Sequence, residues 1–177
     1  MDSPASTVKL GRNVYLAPTA YVGGDVEIGD QCAVMHQAVI RGDISAIRIG
    51  RRVNVQDGAI LHTDAGGPLH IGDEVAIGHR AVVHCNSVGS GSLIGIGAIV
   101  CDGCEIGPGC IVAPGALVPP NARIEPNSIL MGVPARLVRY ATDEDFARIK
   151  FAVDTYIQLG TRHKSGEFPN VVRASTA

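Results

Sequence analysis

The sequence is poor in aromatic residues and has no long apolar run. Aromatic side chains make up 4% of the 177 residues and tryptophan is absent, which disfavours nucleic-acid binding by base stacking. The formal net charge is −2 and no basic run is present, so long-range attraction to nucleic acid is not expected. No apolar stretch approaches the about 20 residues of a membrane span, and residues 1–9 lack the charged start and apolar run expected of a signal peptide. We therefore expect a cytoplasmic protein that binds neither nucleic acid nor membranes.

An aliphatic residue recurs at every sixth position along most of the chain. The run is unbroken over residues 10–40 and again over residues 88–130. Such a repeat, often with glycine after the aliphatic residue, is typical of a hexapeptide-repeat β-helix. We expect an all-β solenoid, a left-handed parallel β-helix in which three hexads close each triangular coil of about eighteen residues. The glycines should supply backbone freedom at its corners.

A second set of small residues lies two positions before the aliphatic ones. It comprises Ala20, Cys32, Ala38, Ala59, Ala81, Ala98, Cys104, Cys110, Ala116 and Ala122. Because side chains alternate along a strand, both sets should point into the tube. Three of the five cysteines thus behave as small apolar side chains, whereas Cys85 and Cys101 should face outward. The odd number of cysteines argues against a disulfide framework, and the Cys101-x-x-Cys104 pair lacks the second pair that a thiolate zinc site needs.

A helical pattern follows the repeat. Thr142, with Asp145 three residues on, predicts a capping box, and apolar residues from Phe146 to Gly160 have helical spacing. The helix should end near Gly160 and pack on the wall of the β-helix or on a neighbouring subunit. We divide the chain into an N-terminal segment (1–9), the β-helix (10–138), a C-terminal helix (139–164) and a tail (165–177).

The six-residue period breaks in the middle of the chain, and histidines lie at the breaks. Extra residues follow Ile40 and Leu61, and one residue is missing before Val88. Interruptions of a regular scaffold are where function is expected. His62 and His84 are 22 residues apart, one coil plus a four-residue insertion, so they should project side by side. Two such imidazoles can share one metal ion at about 2.0–2.1 Å.

A third histidine, His79, lies five residues before His84. Five extended residues span about 16 Å, which is too far for both side chains of one chain to reach one ion. A three-histidine site is completed most simply across a subunit boundary, with His62 and His84 from one chain and His79 from its neighbour. Threefold symmetry would then give three equivalent sites in a homotrimer. The alternative at this point is three surface histidines that hydrogen-bond to the backbone.

The same region carries an ordered set of motifs. They are Arg41-Gly42-Asp43, Asn54-x-Gln56-Asp57, His62, Gly78-His79, His84 and Gly95-x-Gly97-Ala98. In this order they resemble the motifs of the γ-class carbonic anhydrases and their bacterial homologues, and the resemblance covers nearly the whole chain. It implies a homotrimeric zinc enzyme that reversibly hydrates carbon dioxide to bicarbonate.

The resemblance implies that His62, His79 and His84 are the zinc ligands, with His79 donated by the adjacent subunit. Three neutral imidazoles leave the fourth position of zinc open for water, which then becomes acidic enough to react at neutral pH. Imidazole also suits other transition metals, so Fe²⁺ or Co²⁺ could replace Zn²⁺.

The resemblance also implies roles for polar residues around these ligands. Gln56 matches the side chain that hydrogen-bonds the attacking water, and Tyr156 matches a tyrosine near the metal. Arg41, Asp43 and Asp57 match charged residues that order the site and the trimer interface, and Asp57 is also assigned, with Gln56 and Tyr156, to the catalytic residues. Without the resemblance, Gln56 and Asp57 could be ordinary corner residues, because such polar residues favour turns.

The chain departs from the family pattern in the insertion after His62. Some members carry a long acidic loop there, whose glutamate moves protons to solvent, whereas segment 63–70 contains one carboxylate, Asp64. Without such a shuttle, proton transfer or buffer should limit turnover. Two alternatives stay open. One is a metal-binding trimer with weak or different, hydrolytic or structural, activity, and the other is a hexapeptide-repeat acyltransferase.

Overall fold

The computed structural model describes residues 8–169, so most of the N-terminal segment and most of the tail lie outside the described residues. Its elements in chain order are β1 (Lys9–Leu10), β2 (Tyr15–Leu16), β3 (Tyr21–Ile28), β4 (Ala33–Val34), β5 (Val39–Ile49), β6 (Asn54–Val55), β7 (Ile60–His62), β8 (Leu69–Ile71), β9 (Ala76–Ile77), β10 (Val82–Val83), β11 (Ser87–Val88), β12 (Leu93–Ile94), β13 (Ile99–Val100), β14 (Glu105–Ile106), β15 (Ile111–Val112), β16 (Leu117–Val118), β17 (Arg123–Ile124), β18 (Ser128–Gly132), β19 (Ala135–Tyr140) and α1 (Asp143–Lys164).

The strands wind into a left-handed parallel β-helix of about seven turns, which confirms the predicted fold. Its first face stacks β2, β4, β6, β9, β12, β15 and β18, and the antiparallel strand β19 closes its end. The second face contains β7, β10, β13 and β16, and the third contains β8, β11, β14 and β17. The long strands β3 and β5 turn the corner between these two faces: residues 39–41 of β5 pair with β7, and residues 47–49 pair with β8.

The aliphatic residues of the repeat fill the tube. Ile40, Leu61 and Val83 occupy one position in three consecutive coils and are fully buried. The small residues beside them are buried as well, among them Ala59 and Ala81. Full burial of one aliphatic side chain contributes about 1.5–3 kcal/mol, so the repeated pattern stabilises each coil against the next.

Cys85 points into the tube, so the prediction that it faces outward is wrong. Its side chain is 5% exposed and packs in the core of the tube, and this burial raises the pKa of its thiol to about 12. The hexad between Val83 and Val88 is one residue short, so Cys85 takes the inward position that a small residue fills in other hexads. Cys32, Cys104 and Cys110 are buried as predicted.

The glycines after the aliphatic residues serve a different purpose from the predicted one. Gly29 and Gly95 have ordinary negative-φ or extended backbone, because neither is among the positive-φ residues of the described chain. A Cβ on Gly29 would lie 2.6 Å from the carbonyl oxygen of Gly50 in the next coil. These positions therefore need glycine for close approach between coils. Backbone freedom is needed later in the corner, at residues such as Gly97 with a φ of +65°.

The helix α1 packs on the first face, against β2, β4, β6 and β9. This face is the wall of its own β-helix, one of the two packing surfaces that the sequence predicted. The predicted capping box forms, because the Asp145 carboxylate accepts the Thr142 N–H at 2.9 Å. The helix continues through Gly160 to Lys164. Gly160 is not its end but a point of close contact, since a Cβ there would lie 3.0 Å from the Cβ of Ala33. Within residues 8–169, no helix is both long and apolar enough to cross a membrane.

Candidate metal centre

The interruptions of the repeat lie at the corner between the second and third faces. β7 ends at His62 and the extra residues separate it from β8, while the shortened step joins β10 to β11. His62 and His84 each follow the last buried aliphatic residue before this corner, Leu61 and Val83. Because Leu61 and Val83 are paired in register, the two imidazoles project from the same corner of consecutive coils.

His62 and His84 belong to a row of four side chains that crosses consecutive coils. Nδ1 of His62 lies 3.1 Å from Nε2 of His84. At one end of the row, Oδ1 of Asp43 lies 3.0 Å from Nε2 of His62. At the other end, Oδ1 of Asp102 lies 2.5 Å from Nδ1 of His84. We call the row of Asp43, His62, His84 and Asp102 the carboxylate–histidine ladder.

The hydrogen-bond partners determine which ring nitrogens are free. An ionised carboxylate only accepts hydrogen bonds, so the nitrogens that face Asp43 and Asp102 carry protons. In the neutral rings, Nδ1 of His62 and Nε2 of His84 then carry no proton, and their lone pairs face each other across the 3.1 Å between the two nitrogens. Two lone pairs repel unless a positive charge lies between them. Either a hydrogen on one of the two nitrogens, which would form an N–H···N hydrogen bond, or a bound cation relieves this repulsion.

The ladder also fits a metal ion by distance. Two nitrogens bound to tetrahedral zinc at 2.0–2.1 Å lie about 3.3 Å apart, and the two free nitrogens of His62 and His84 are 3.1 Å apart. A carboxylate on the outer nitrogen is the usual companion of a metal-binding histidine. Asp64 lies near the Asp102 end of the ladder, because Asp64, His84 and Asp102 each place one side-chain nitrogen or oxygen within 4.8 Å of the others.

Arg41 orders the Asp43 end of the ladder. Its guanidinium Nη1 lies 2.6 Å from Oδ2 of Asp43. The hydrogen bond from Arg41, with a smaller contribution from His62, lowers the pKa of Asp43. Asp43 therefore stays ionised at neutral pH and remains an acceptor for His62.

A second group of polar side chains surrounds His79, between β9 and β10 at the opposite edge of the second face. The Tyr156 hydroxyl of α1 lies 2.8 Å from Nε2 of His79, and Oδ2 of Asp57 lies 3.1 Å from its Nδ1. Oε1 of Gln56 accepts the backbone N–H of His79 at 3.2 Å, and Nε2 of Gln56 donates to Asn54 at 3.0 Å. Burial, and secondarily the charge of Asp57, raises the pKa of Tyr156.

The structure thus collects the predicted site residues in two groups at two edges of one face. The first group holds Arg41, Asp43, His62 and His84, and the second holds Gln56, Asp57, His79 and Tyr156. Within residues 8–169, no hydrogen bond or ion pair joins the groups. Sequence reasoning missed Asp102. It lies 18 residues after His84, one regular coil, so a count of coil length is the signal that would have found it.

Several known proteins are similar to this chain in sequence. The family model "Bacterial transferase hexapeptide (six repeats)" matches residues 7–42 and 87–120, and the unmatched middle contains His62, His79 and His84. A "probable carbonic anhydrase" of Methanocaldococcus jannaschii is 43% identical over 150 residues, covering 85% of this chain and 94% of that protein. A mitochondrial γ carbonic anhydrase of Arabidopsis thaliana is 37% identical over 162 residues, covering 88% of this chain and 58% of that protein.

One solved structure is also closely similar. It is a crystal structure from Bacillus cereus of a protein provisionally named an acetyltransferase, with a TM-score of 0.87 and 36% identity, covering 90% of this chain and 93% of that chain. Similar proteins thus carry names from two enzyme classes. The residues of the site, rather than the fold, have to distinguish between them.

Proposed function

The chain belongs to the γ-class carbonic anhydrase family of hexapeptide-repeat proteins, and on this basis we propose that it is a zinc-dependent carbonic anhydrase that interconverts carbon dioxide and bicarbonate. The observation that carries the proposal is the pair of free nitrogens of His62 and His84, which face each other at 3.1 Å. The names of two relatives support the reaction. We propose that the protein acts in the cytoplasm.

We propose that the metal is held by His62 and His84 of one chain and by His79 of its neighbour. Zinc in such a site supplies Lewis acidity that lets water act as a nucleophile near neutral pH. Asp57 faces Nδ1 of His79, so Nε2 is the nitrogen left for the metal. Because the Tyr156 hydroxyl occupies that nitrogen at 2.8 Å, it would turn away on metal binding and remain beside the site.

The second face supports a homotrimer. Its outward side chains form an apolar row in which Tyr21, Ile60 and Ile99 are 54%, 40% and 39% exposed. Exposed apolar rows of this kind favour contact with another protein surface. The His79 group lies at one edge of this face and the carboxylate–histidine ladder at the other. When copies pack around a threefold axis, the first edge of one copy can meet the second edge of the next.

The remaining residues would orient the reactants. One amide hydrogen of Gln56 is used by Asn54, and the amide carries two, so the other can hydrogen-bond the attacking water. Asp57 would hold the ring of His79, and Arg41 would keep Asp43 in place beside His62. Segment 63–70 has one carboxylate, so we expect the proton to leave to buffer, and turnover to depend on buffer concentration.

Stopped-flow hydration of carbon dioxide on zinc-loaded protein, in excess buffer, tests the proposal. We expect a rate well above that of buffer, which His84→Ala abolishes and His70→Ala retains, because His70 is exposed and lies outside both groups. A background rate at full zinc occupancy would favour a metal-binding trimer with another activity. A purified protein without transition metal would favour the acyltransferase, which does not need the histidine pair. Replacement of zinc by Fe²⁺ or Co²⁺ in the same assay identifies the most active metal.

A further inference from the structure

Asp102 ends the carboxylate–histidine ladder, although the repeat does not require a carboxylate at its position. Its Oδ1 lies 2.5 Å from Nδ1 of His84. The backbone at Asp102 is held in place, because its carbonyl oxygen accepts the N–H of Asn121 at 2.8 Å in the following coil. The carboxylate is therefore presented to His84 by a fixed part of the scaffold.

General stabilisation of the fold does not explain this contact. The Asp102 side chain is 60% exposed and that of His84 is 26% exposed, and exposed ion pairs contribute little to stability. The contact instead controls which nitrogen of the His84 ring carries the proton. A neutral imidazole carries its proton on either nitrogen, and an acceptor at Nδ1 selects the form in which Nε2 is free.

We propose that Asp102 is a positioning residue that fixes the tautomer and ring orientation of His84, so that Nε2 remains available to a metal ion. The proposal rests on the metal site proposed above. Asp43 has the same relation to His62, but Arg41 pairs with Asp43 at 2.6 Å. Among the residues that the structure describes, no lysine or arginine forms an ion pair with Asp102. No basic side chain in that part of the chain therefore competes with His84 for the Asp102 carboxylate.

Zinc affinity, measured by competition with a chromogenic chelator on the full-length protein, tests this role. Asp102→Ala should weaken zinc binding about 10- to 100-fold, the usual effect of losing the partner of a metal-binding histidine. Asp102→Asn keeps an oxygen acceptor and should recover most of the affinity. The cobalt-loaded Asp102→Ala protein should also show altered visible absorption bands, because the ligand field changes when the ring of His84 moves.

Asp64→Asn is the matched control. Asp64 places a carboxylate oxygen within 4.8 Å of a ring nitrogen of His84, but its Oδ1 accepts the Gly66 N–H at 2.6 Å, a contact that asparagine retains. If Asp102 acts through the hydrogen bond, Asp64→Asn should stay within about twofold of the unmodified protein. Equal losses in Asp64→Asn and Asp102→Ala would mean that negative charge alone attracts the metal, and would overturn the proposal. So would an affinity of Asp102→Ala within about twofold.

Nitrogen-15 NMR of the metal-free protein separates this proposal from the proposed function. In the unmodified protein, His84 should carry its proton on Nδ1, and Asp102→Ala should shift the ring toward the Nε2-protonated form. An unchanged tautomer in Asp102→Ala contradicts the positioning role even if the protein binds zinc. Absence of zinc binding by the unmodified protein would instead reject the metal site, and the tautomer measurement would still decide what Asp102 does.

Discussion

Mixed trimers should regain metal sites that neither parent protein has. A His79→Ala chain keeps the pair His62 and His84, whereas a chain with both His62→Ala and His84→Ala keeps only His79. Each parent trimer therefore lacks a ligand at all of its sites. In the mixture, a site is complete wherever a chain of the first kind supplies the pair and its neighbour of the second kind supplies His79. Random association at equal concentrations makes about one quarter of the sites complete.

The assay is zinc content per trimer, measured by elemental analysis after co-refolding the two chains and isolating the trimer by size-exclusion chromatography. We expect about one quarter of the zinc of the unmodified protein above the background of the separate parents, with carbon dioxide hydration recovered in the same proportion. The control mixture combines the His62→Ala, His84→Ala chain with a His79→Ala, His84→Ala chain. No site in that mixture has its pair, so no zinc should be regained.

A first mixture that holds no more zinc than the control would refute the shared site. The two groups of residues would then act separately, since within residues 8–169 no hydrogen bond or ion pair joins them. Full zinc in the His79→Ala protein alone would also refute it, because the pair of His62 and His84 would then hold the metal without a neighbour.

Three further predictions concern the scaffold. Hydrogen bonds from Arg139 and from the Thr142 cap lower the pKa of Asp145. Its contribution to stability is therefore present above the unfolded pKa of about 3.9, and is lost as the pH falls through the lower folded value. Asp145→Asn should lower the melting temperature at pH 7 and make that temperature depend less on acid pH. Ile94→Ala, in the fully buried core, should lower the free energy of unfolding by about 2–5 kcal/mol in urea titrations. Gly29→Ala should cost about 1–3 kcal/mol by the same measurement, since its Cβ would lie 2.6 Å from Gly50 in the next coil; an unchanged midpoint would contradict the close-approach explanation.

The β-helix could be predicted from the sequence because its cause is local and repeated. Most hexads place one aliphatic and one smaller residue inward, and the repeated pattern leaves one way of stacking the coils. The capping box at Thr142 was predictable for the same reason, since its partners are three residues apart. The spacing of 22 residues between His62 and His84 was sufficient to place the two rings side by side.

The errors occur where the repeat is irregular or where neighbouring coils or elements decide the outcome. Cys85 turns inward because one hexad is short, and Gly29 is needed because the next coil passes 2.6 Å from where its Cβ would be. Gly160 resembles a helix end in the sequence, but it lies inside α1, where a Cβ would come within 3.0 Å of Ala33. None of these contacts is visible in a pattern along one strand or helix.

The sequence by itself determined the coil and the outward positions of His62 and His84 at one corner, because burial along a strand follows its alternation. Only the tertiary structure decided which outward side chains meet. The contact of Asp102 with His84 and that of Tyr156 with His79 join residues 18 and 77 positions apart. The first depends on the stacking of one coil on the next, and the second on how α1 docks against the first face. The period can place Asp102 one coil beyond His84, but it specifies neither the side-chain orientation that brings the two atoms to 2.5 Å nor where α1 docks.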